Sequence, residues 1–159
     1  MIRTEISLFL KNVPGELGNL ASILGDNGIN IDAITIQDAS SYVQSIFQAR
    51  GKSLKRIASS ASYSSMRRDS AEFALIRMLT DKPDQATGLL KEREYIFDTK
   101  EVIAIELDNV PGKLSEVTRK FGEEDININY VYGSVPSSDG KCLFVFCPED
   151  VDMASKIFQ

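Results

Sequence analysis

NVPGELGNLASILGDNGINI, residues 12–31, is followed 97 residues later by NVPGKLSEVTRKFGEEDINI, residues 109–128. Nine of the twenty aligned positions are identical, and they are Asn, Val, Pro, Gly, Leu, Gly, Ile, Asn and Ile in that order. Self-similarity at a fixed offset is the signature of an internal repeat. The sequence therefore predicts a duplicated module.

Each copy places the signals of a strand before those of a helix. Ile6, Leu8 and Leu10 alternate along the chain before the first copy, which predicts a strand. Asn-Val-Pro-Gly follows, and we expect the proline to lie in the first turn of the helix, where its missing N–H costs little. Apolar residues then recur at helical spacing, as Leu17, Leu20, Ala21 and Leu24 and again as Leu114, Val117, Thr118 and Phe121. Gly28 can end the first helix in the left-handed conformation, whereas Asp125 is a poorer stop.

The remaining segments extend each copy toward the order βαββαβ. Strands are predicted near 29–37, 72–79 and 94–98 in the first copy, and near 101–107, 126–135 and 141–147 in the second. Helices are predicted after Asp81-Lys82-Pro83-Asp84 and after Cys147-Pro148. This order is a split βαβ unit with two helices on one face of an antiparallel sheet. We expect an α+β protein with one module at 1–99 and a second at 100–159.

We expect the second module to lack its fourth strand, because the sequence stops at Gln159 directly after the last predicted helix, and the alternative is that this sequence is a shortened form of the protein. Loss of that strand would uncover an edge at about 101–107. Exposed edges pair with other chains. We therefore expect a subunit partner or another segment of the chain to cover this edge.

The composition restricts the class of function. The 159 residues carry a net charge of −5 and no histidine, with 43% apolar and 26% charged residues, as in soluble globular proteins. The longest apolar run, at 142–147, is far shorter than the roughly 20 residues of a membrane span. Lack of histidine removes the commonest general base and metal ligand. Cys142 and Cys147 are five apart, which fits no zinc half-site and indicates two buried, reduced thiols. We expect a cytoplasmic, non-catalytic protein without metal or cofactor.

The repeated pattern resembles the ACT domain. A strand, Asn-Val-Pro-Gly-x-Leu, a helix, Gly-Ile-Asn-Ile or Asp-Ile-Asn-Ile, and a second strand carry the resemblance, which covers residues 2–37 and about 70–159. Two copies in one short chain are similar to free-standing tandem ACT proteins. The resemblance implies two ferredoxin-like modules that bind a free amino acid where ACT modules meet, and that regulate amino-acid metabolism allosterically without catalysis.

The resemblance also implies which residues contact the ligand. They are the loop before each first helix and the start of each second strand, namely Asn12, Val13, Gly15, Glu16, Leu17, Asn30 and Ile31, and Asn109, Val110, Gly112, Lys113, Leu114, Asn127 and Ile128. The chemistry is suitable, because the first N–H groups of a helix lack intrahelical partners and attract a carboxylate. Lys113 favours the second loop for an anion, whereas Glu16 would repel one.

Purely structural roles compete with these assignments. Asn12 and Asn109 can cap their helices, and Asn30 and Asn127 can satisfy the backbone of turns. At the level of the whole protein, the alternatives to an amino-acid sensor are a regulatory small subunit of an enzyme such as acetohydroxyacid synthase, or a structural dimerisation module without ligand. In each case we expect a homodimer or a higher homo-oligomer. A regulated enzyme is a possible further partner of the sensor.

A basic insert departs from the family pattern. Residues 39–68 contain six basic residues and no acidic one, and their apolar residues fit a helical stripe interrupted at Gly51. We expect an amphipathic helix that packs on the acidic body or on a sister subunit, and the alternative is a docking element for an anionic partner or membrane surface. The net-acidic chain contains no recognition module for nucleic acid, so we expect no nucleic-acid partner.

Overall fold

The predicted strands and helices form in the predicted order. The computed structural model describes residues 1–39 and 73–158. Within them the elements are β1 (Ile2–Lys11), α1 (Glu16–Asp26), β2 (Ile31–Asp38), β3 (Phe73–Thr80), α2 (Pro83–Glu92), β4 (Phe97–Asp108), α3 (Lys113–Glu123), β5 (Ile128–Gly133), β6 (Lys141–Pro148) and α4 (Val151–Ile157). The predicted helix in the basic insert lies outside the described residues, and only Ala39 of that insert is included.

All six strands form one antiparallel sheet in the order β2-β3-β1-β4-β6-β5. Alternate residues of the central strands face the helices, as the apolar alternation in β1 predicted. One core joins β1 and β3 to α1 and α2, and a second core joins β4 and β6 to α3 and α4. The fold is the predicted α+β arrangement of two ferredoxin-like modules, with the helices on one face of the sheet.

The other face of the sheet is concave and carries a third apolar cluster. Its members come from β2, β3, β4 and β6, and tyrosines of β5 pack against them. The sheet curls so strongly that its two end strands, β2 and β5, approach each other across this face. Twist of this kind is the normal tendency of a sheet with many strands. Cys147 is buried on this face and Cys142 is buried elsewhere, and both thiols are free, as predicted.

The strand β4 belongs to both modules. The two strands predicted near 94–98 and 101–107 are a single strand, whose first half pairs with β1 and whose second half pairs with β6. It is therefore the fourth strand of the first module and the first strand of the second. The predicted module boundary between residues 99 and 100 falls inside β4 and stays a prediction.

The strand β1 pairs with the edge of β4 that we expected to be uncovered. Thr4 pairs with Glu101, the residue 97 positions later, so the β1–β4 pair has the two-fold symmetry of the repeat itself. Pairing continues to Ala104, whose N–H donates to the Met1 carbonyl at 2.9 Å. The predicted exposed edge is therefore covered as far as residue 104 by another segment of the same chain.

The first helix of each module ends in the same way. Gly28 has a φ of 66° and Asp125 a φ of 55°, so both adopt the left-handed conformation. In each case the second residue after the helix cap donates back into the last turn, from Ile29 to the Leu24 carbonyl at 3.0 Å and from Ile126 to Phe121 at 2.9 Å. Both stops predicted from the sequence are confirmed, and the non-glycine residue is the less relaxed of the two.

Candidate functional site

The loop between β1 and α1 is built around one left-handed glycine. Gly15 caps the helix with a φ of 96°, a conformation that side chains with a Cβ rarely adopt. The Glu16 N–H reaches the Val13 carbonyl at 3.4 Å, and the Asn19 N–H donates to the Gly15 carbonyl at 2.9 Å. Pro14 therefore lies before the helix cap, and the expectation of a proline in the first helical turn is wrong. The left-handed Gly15 does not have a helical backbone conformation, so the helix begins only after it, at Glu16.

The loop between β4 and α3 repeats this geometry. Gly112 has a φ of 93°, the Lys113 N–H lies 3.4 Å from the Val110 carbonyl, and the Glu116 N–H donates to the Gly112 carbonyl at 3.0 Å. Among the described residues, no atom lies within 4 Å of a Cβ built on Gly112 or on Gly15. Both loops are therefore open on the side where a ligand or another subunit would approach.

The helix starts retain free backbone donors. In the described part of the chain, no side chain accepts a hydrogen bond from the N–H groups at either helix start, and the Gly15, Leu17, Gly112 and Leu114 N–H groups have no partner. The alternative that Asn12 and Asn109 cap these helices is therefore wrong. Unpaired N–H groups at a helix start, with the positive end of the helix dipole behind them, favour a carboxylate.

Apolar side chains surround these donors without packing into the core. Val13 and Leu17 are 44% and 39% exposed, and Val110 and Leu114 are 52% and 39% exposed. The helical stripes predicted from the sequence therefore begin one turn later than expected, at the buried Leu20 and Val117. An exposed valine and leucine next to free N–H groups suit a contact with the apolar part of a ligand or with another module.

The two asparagines at the second strands differ. Asn30 is fully engaged, because its N–H and its side-chain amide donate to Asp81 and Asp32, both at 2.8 Å, and its carbonyl accepts from Asp81. Its structural alternative is thus well supported. Asn127 receives one backbone bond from Glu149 at 2.9 Å, and its side chain is exposed, without a partner among the described residues.

The isoleucines that follow these asparagines contact the cores. Ile31 packs against the first core and Ile128 against the second, each partly buried. Each can therefore offer only part of its side chain to a ligand.

One chain does not bring the predicted residues together. Because β1 and β4 are antiparallel, their loops leave opposite ends of the sheet, and Leu8 lies opposite Phe97. Fourteen residues of strand rise, roughly 46 Å, therefore separate Lys11 from Asp108. Asn127 lies toward the end of the sheet that carries the first loop, and Asn30 lies toward the end that carries the second loop. A strand rise of about seven residues, roughly 23 Å, still separates each asparagine from the loop at its own end of the sheet.

The sequence and the fold are similar to those of known proteins. A family model described as an ACT domain pair matches residues 50–158. The chain belongs to the ACT domain pair family. Membership supports a regulatory, amino-acid-sensing role rather than a catalytic one. No curated protein gives a significant match to the sequence.

Two solved structures show the same fold. Protein BT0572 from Bacteroides thetaiotaomicron is 23% identical with a TM-score of 0.70, and the alignment covers 99% of this chain and 86% of that one. The regulatory subunit of aspartate kinase from Thermus thermophilus, in its ligand-free form, is 12% identical with a TM-score of 0.55, covering 98% and 93% of the two chains. At these identities the likeness concerns the fold alone.

Charge distinguishes the two loops of this ACT pair. Glu16 places an acidic group in the first turn of α1. Lys113 does the opposite in α3, but its Nζ lies 2.8 Å from Glu116 Oε2. This hydrogen bond raises the pKa of Lys113. The lysine that favoured the second loop is thus partly neutralised by its own helix, although that loop remains the less acidic of the two.

Two cavities of the ACT pair lie away from the predicted ligand residues. One of about 460 Å³ follows α1 and the turn after α2, and one of about 250 Å³ lies beside Phe9 on the concave face. Residues 1–39 and 73–158 contain no group of acidic or cysteine side chains that could hold a metal ion. No helix within these ranges is long and apolar enough to cross a membrane.

One polar cluster of the molecule was not predicted from the sequence. Glu5 is completely buried on the concave face and accepts hydrogen bonds from Tyr130 and Tyr132. It occupies a polar position in the alternating pattern of β1, where such a residue normally faces solvent. Only the curl of the sheet, which the sequence did not reveal, encloses this position.

Proposed function

We propose that this chain is a non-catalytic sensor that binds a free amino acid at an interface between ACT modules and regulates amino-acid metabolism through a partner. The duplicated loop carries the proposal, since each copy presents a left-handed glycine, free N–H groups and exposed apolar side chains. A carboxylate would sit on the N–H groups, and the ligand side chain would contact the valine and leucine. Of the two second-strand asparagines, Asn127 is the better ligand contact, because Asn30 is already engaged.

The position of the loops supports an oligomer. Each loop would need another module at its own end of the sheet, and a second copy of the chain can supply one. The proposed assembly is therefore a homodimer or a higher homo-oligomer with ligand between its subunits. Ligand would then stabilise one arrangement of subunits over another, which is the differential affinity that regulation requires.

The proposed partner is an enzyme of amino-acid metabolism. The Thermus relative in fold is named as a regulatory subunit of aspartate kinase, which supports regulation through a partner rather than by the chain's own catalysis. The remaining parts of the proposal are the module division at 1–99 and 100–159, function in the cytoplasm, and independence of metal and cofactor.

Isothermal calorimetry with each of the twenty amino acids tests the proposal, after a thermal-shift screen. A ligand at 100 times its dissociation constant should stabilise the protein by about 2.7 kcal/mol. We expect Gly112→Asp or Gly15→Asp to weaken binding at least tenfold, because the new carboxylate occupies the open side of the loop and repels the ligand carboxylate.

Gly28→Asp is the matched control. It introduces the same charge at another left-handed glycine, and the second module carries Asp125 at the equivalent position. This variant should bind as the wild type does. Loss of binding in the control alone, or full binding in both loop variants, would contradict the proposed site. Folded protein with no ligand among the twenty would contradict the sensor.

A further inference from the structure

The concave face of the sheet contains a charged residue where a chain of this fold could bury an apolar one. Glu5 on β1 has no exposed surface. Its equivalent in the second module, Val102, occupies the same place on β4 and belongs to the apolar cluster. Burial of a carboxylate is costly unless hydrogen bonds replace its water. The equivalent position is therefore filled by a hydrogen-bonded carboxylate in the first module and by an apolar side chain in the second.

The hydrogen-bond partners of Glu5 come from the far end of the sheet. Tyr130 donates to Oε1 at 2.5 Å, Tyr132 donates to Oε2 at 2.9 Å, and Ser7 on the same strand makes a longer bond of 3.3 Å to Oε1. β5 carries both tyrosines and is three strands away from β1, a distance of about 14 Å in a flat sheet. These hydroxyls reach Glu5 only because the sheet curls. They join the first strand of one module to the end strand of the other.

Two cationic side chains contact the ring of Tyr130. The Arg77 guanidinium lies 4.2 Å from the centroid of the Tyr130 ring, and the Lys100 Nζ lies 5.7 Å from it. Lys100 is the residue of β4 opposite Glu5. These contacts are weaker than a hydrogen bond to a carboxylate, and they remain possible when the tyrosine shifts.

Among residues 1–39 and 73–158, the strand β5 has a backbone partner on one side only. It pairs with β6, and its other edge approaches β2 without a ladder of hydrogen bonds. Its attachment to the concave face therefore depends on side chains, and chiefly on those that meet Glu5. When β5 moves away, water can hydrate the carboxylate and both hydroxyls, so the open state is less costly than for an apolar contact of the same area.

We propose that Glu5, Tyr130 and Tyr132 form a latch that holds β5 against β1 and opens by release of β5 from the concave face. β5 begins with Ile128 directly after Asn127, and β1 leads into the loop at Asn12. If the latch changes ligand affinity at Asn127 or Asn12, that effect rests on the proposed function, because only the proposed function places a ligand there. The latch itself does not, and its test contains no ligand.

Hydrogen–deuterium exchange of the whole protein tests the latch in Glu5→Gln. Glutamine keeps the shape, but it removes the charge and offers one acceptor oxygen in place of two, so one tyrosine hydroxyl loses the acceptor for its proton. We expect amides of β5 to exchange about tenfold faster, with no change in β2, the equivalent end strand of the first module. The matched variant Ser7→Ala removes the weakest donor and should leave β5 as in the wild type.

Tyr132→Phe keeps the proposal testable if Glu5→Gln folds poorly, because it removes one hydroxyl and retains the ring. It should also accelerate exchange in β5. In the double variant with Glu5→Gln and Tyr132→Phe, the amides of β5 should exchange at most about twofold faster than in Glu5→Gln alone, because both changes disrupt the same contact. Equal acceleration in β2 and β5 would overturn the latch in favour of general stabilisation. Unchanged exchange in β5 for both variants would overturn it as well.

Discussion

The two modules have the same backbone and different concave faces. Their helix starts, helix ends and the irregularity at the start of the second strand coincide after a shift of 97 residues. On the concave face, however, Ala33 and Val102 stand where the partner module has Tyr130 and Glu5. The duplicated features include the candidate ligand loops, whereas the polar contact across the concave face exists once in the described residues. Duplication therefore preserved the loop geometry and allowed the sheet surface to diverge.

The largest effect on stability should come from truncating a buried side chain in the core between the helices and the sheet, and the two modules can be compared at equivalent positions. Phe121 is almost fully buried, with its ring centroid 5.3 Å from that of Phe146 and 5.2 Å from that of Phe158. Its equivalent is the buried Leu24. We expect Phe121→Ala to lower the free energy of unfolding by about 3–5 kcal/mol and Leu24→Ala by about 2–5 kcal/mol.

Urea denaturation followed by circular dichroism measures both changes. Because β4 belongs to both modules, each variant should unfold in one transition with an unchanged slope. Two separate transitions in either variant would show that the modules unfold independently, contrary to the shared sheet.

The next effect is a loss of stability at alkaline pH, which we expect to come from the concave face of the second module and not from that of the first. Burial raises the pKa of Tyr132, and the Glu5 charge raises it further. Burial and the hydrogen bond to Glu5 likewise raise the pKa of Tyr130. An unfolded tyrosine ionises near pH 10. The stability that these tyrosines contribute is therefore complete below about pH 10 and is lost as the pH rises further, when the unfolded chain releases protons that the folded protein keeps.

Denaturation between pH 8 and pH 11 tests this dependence. Tyr132→Phe should make the decline in stability less steep. Thr35→Val, at the equivalent position of the first module, should leave the decline as in the wild type. An equally steep decline after Tyr132→Phe would mean that other groups determine the alkaline limit.

The smallest effect concerns the ends of α1 and α3. Asp125→Gly should stabilise the protein by about 0.5–1 kcal/mol, because glycine adopts a positive φ without strain. Gly28→Asp should destabilise it by a similar amount. The melting temperatures of the two variants, which should move in opposite directions, measure the difference. A lower melting temperature for Asp125→Gly would indicate that the aspartate side chain stabilises the turn.

The local parts of the fold could be predicted from the sequence because they depend on local patterns. The repeat, the alternation in β1 and the glycine at position 28 determine elements whose signals lie within a few residues. The fusion of two predicted strands into β4 could not be predicted in this way. Thr99 and Lys100 interrupt the apolar pattern, and only pairing with β1, about a hundred residues away in sequence, makes the strand continuous.

The candidate site was predictable in composition and not in placement. Gly15 and Gly112 have the conformation that makes the loops open, and the repeated motif identified both. The distance between the loops depends on the antiparallel pairing of β1 with β4, which no local signal encodes. Likewise, Leu17 fits the apolar stripe of its helix but lies outside the core, which a periodic pattern alone does not indicate.

The pairing of β1 with β4 also determines when both edges of β1 can be paired during synthesis. β1 leaves the ribosome before β4, because Thr4 precedes its partner Glu101 by 97 residues. At roughly 5–20 residues per second, β1 waits about 5–20 s for its partner. During this interval the growing chain presents one edge of β1 without a partner, even when β3 has paired with the other edge, and β4 of a neighbouring chain offers the same hydrogen bonds. Polysomes crowded with this message are therefore the place where chains can exchange strands.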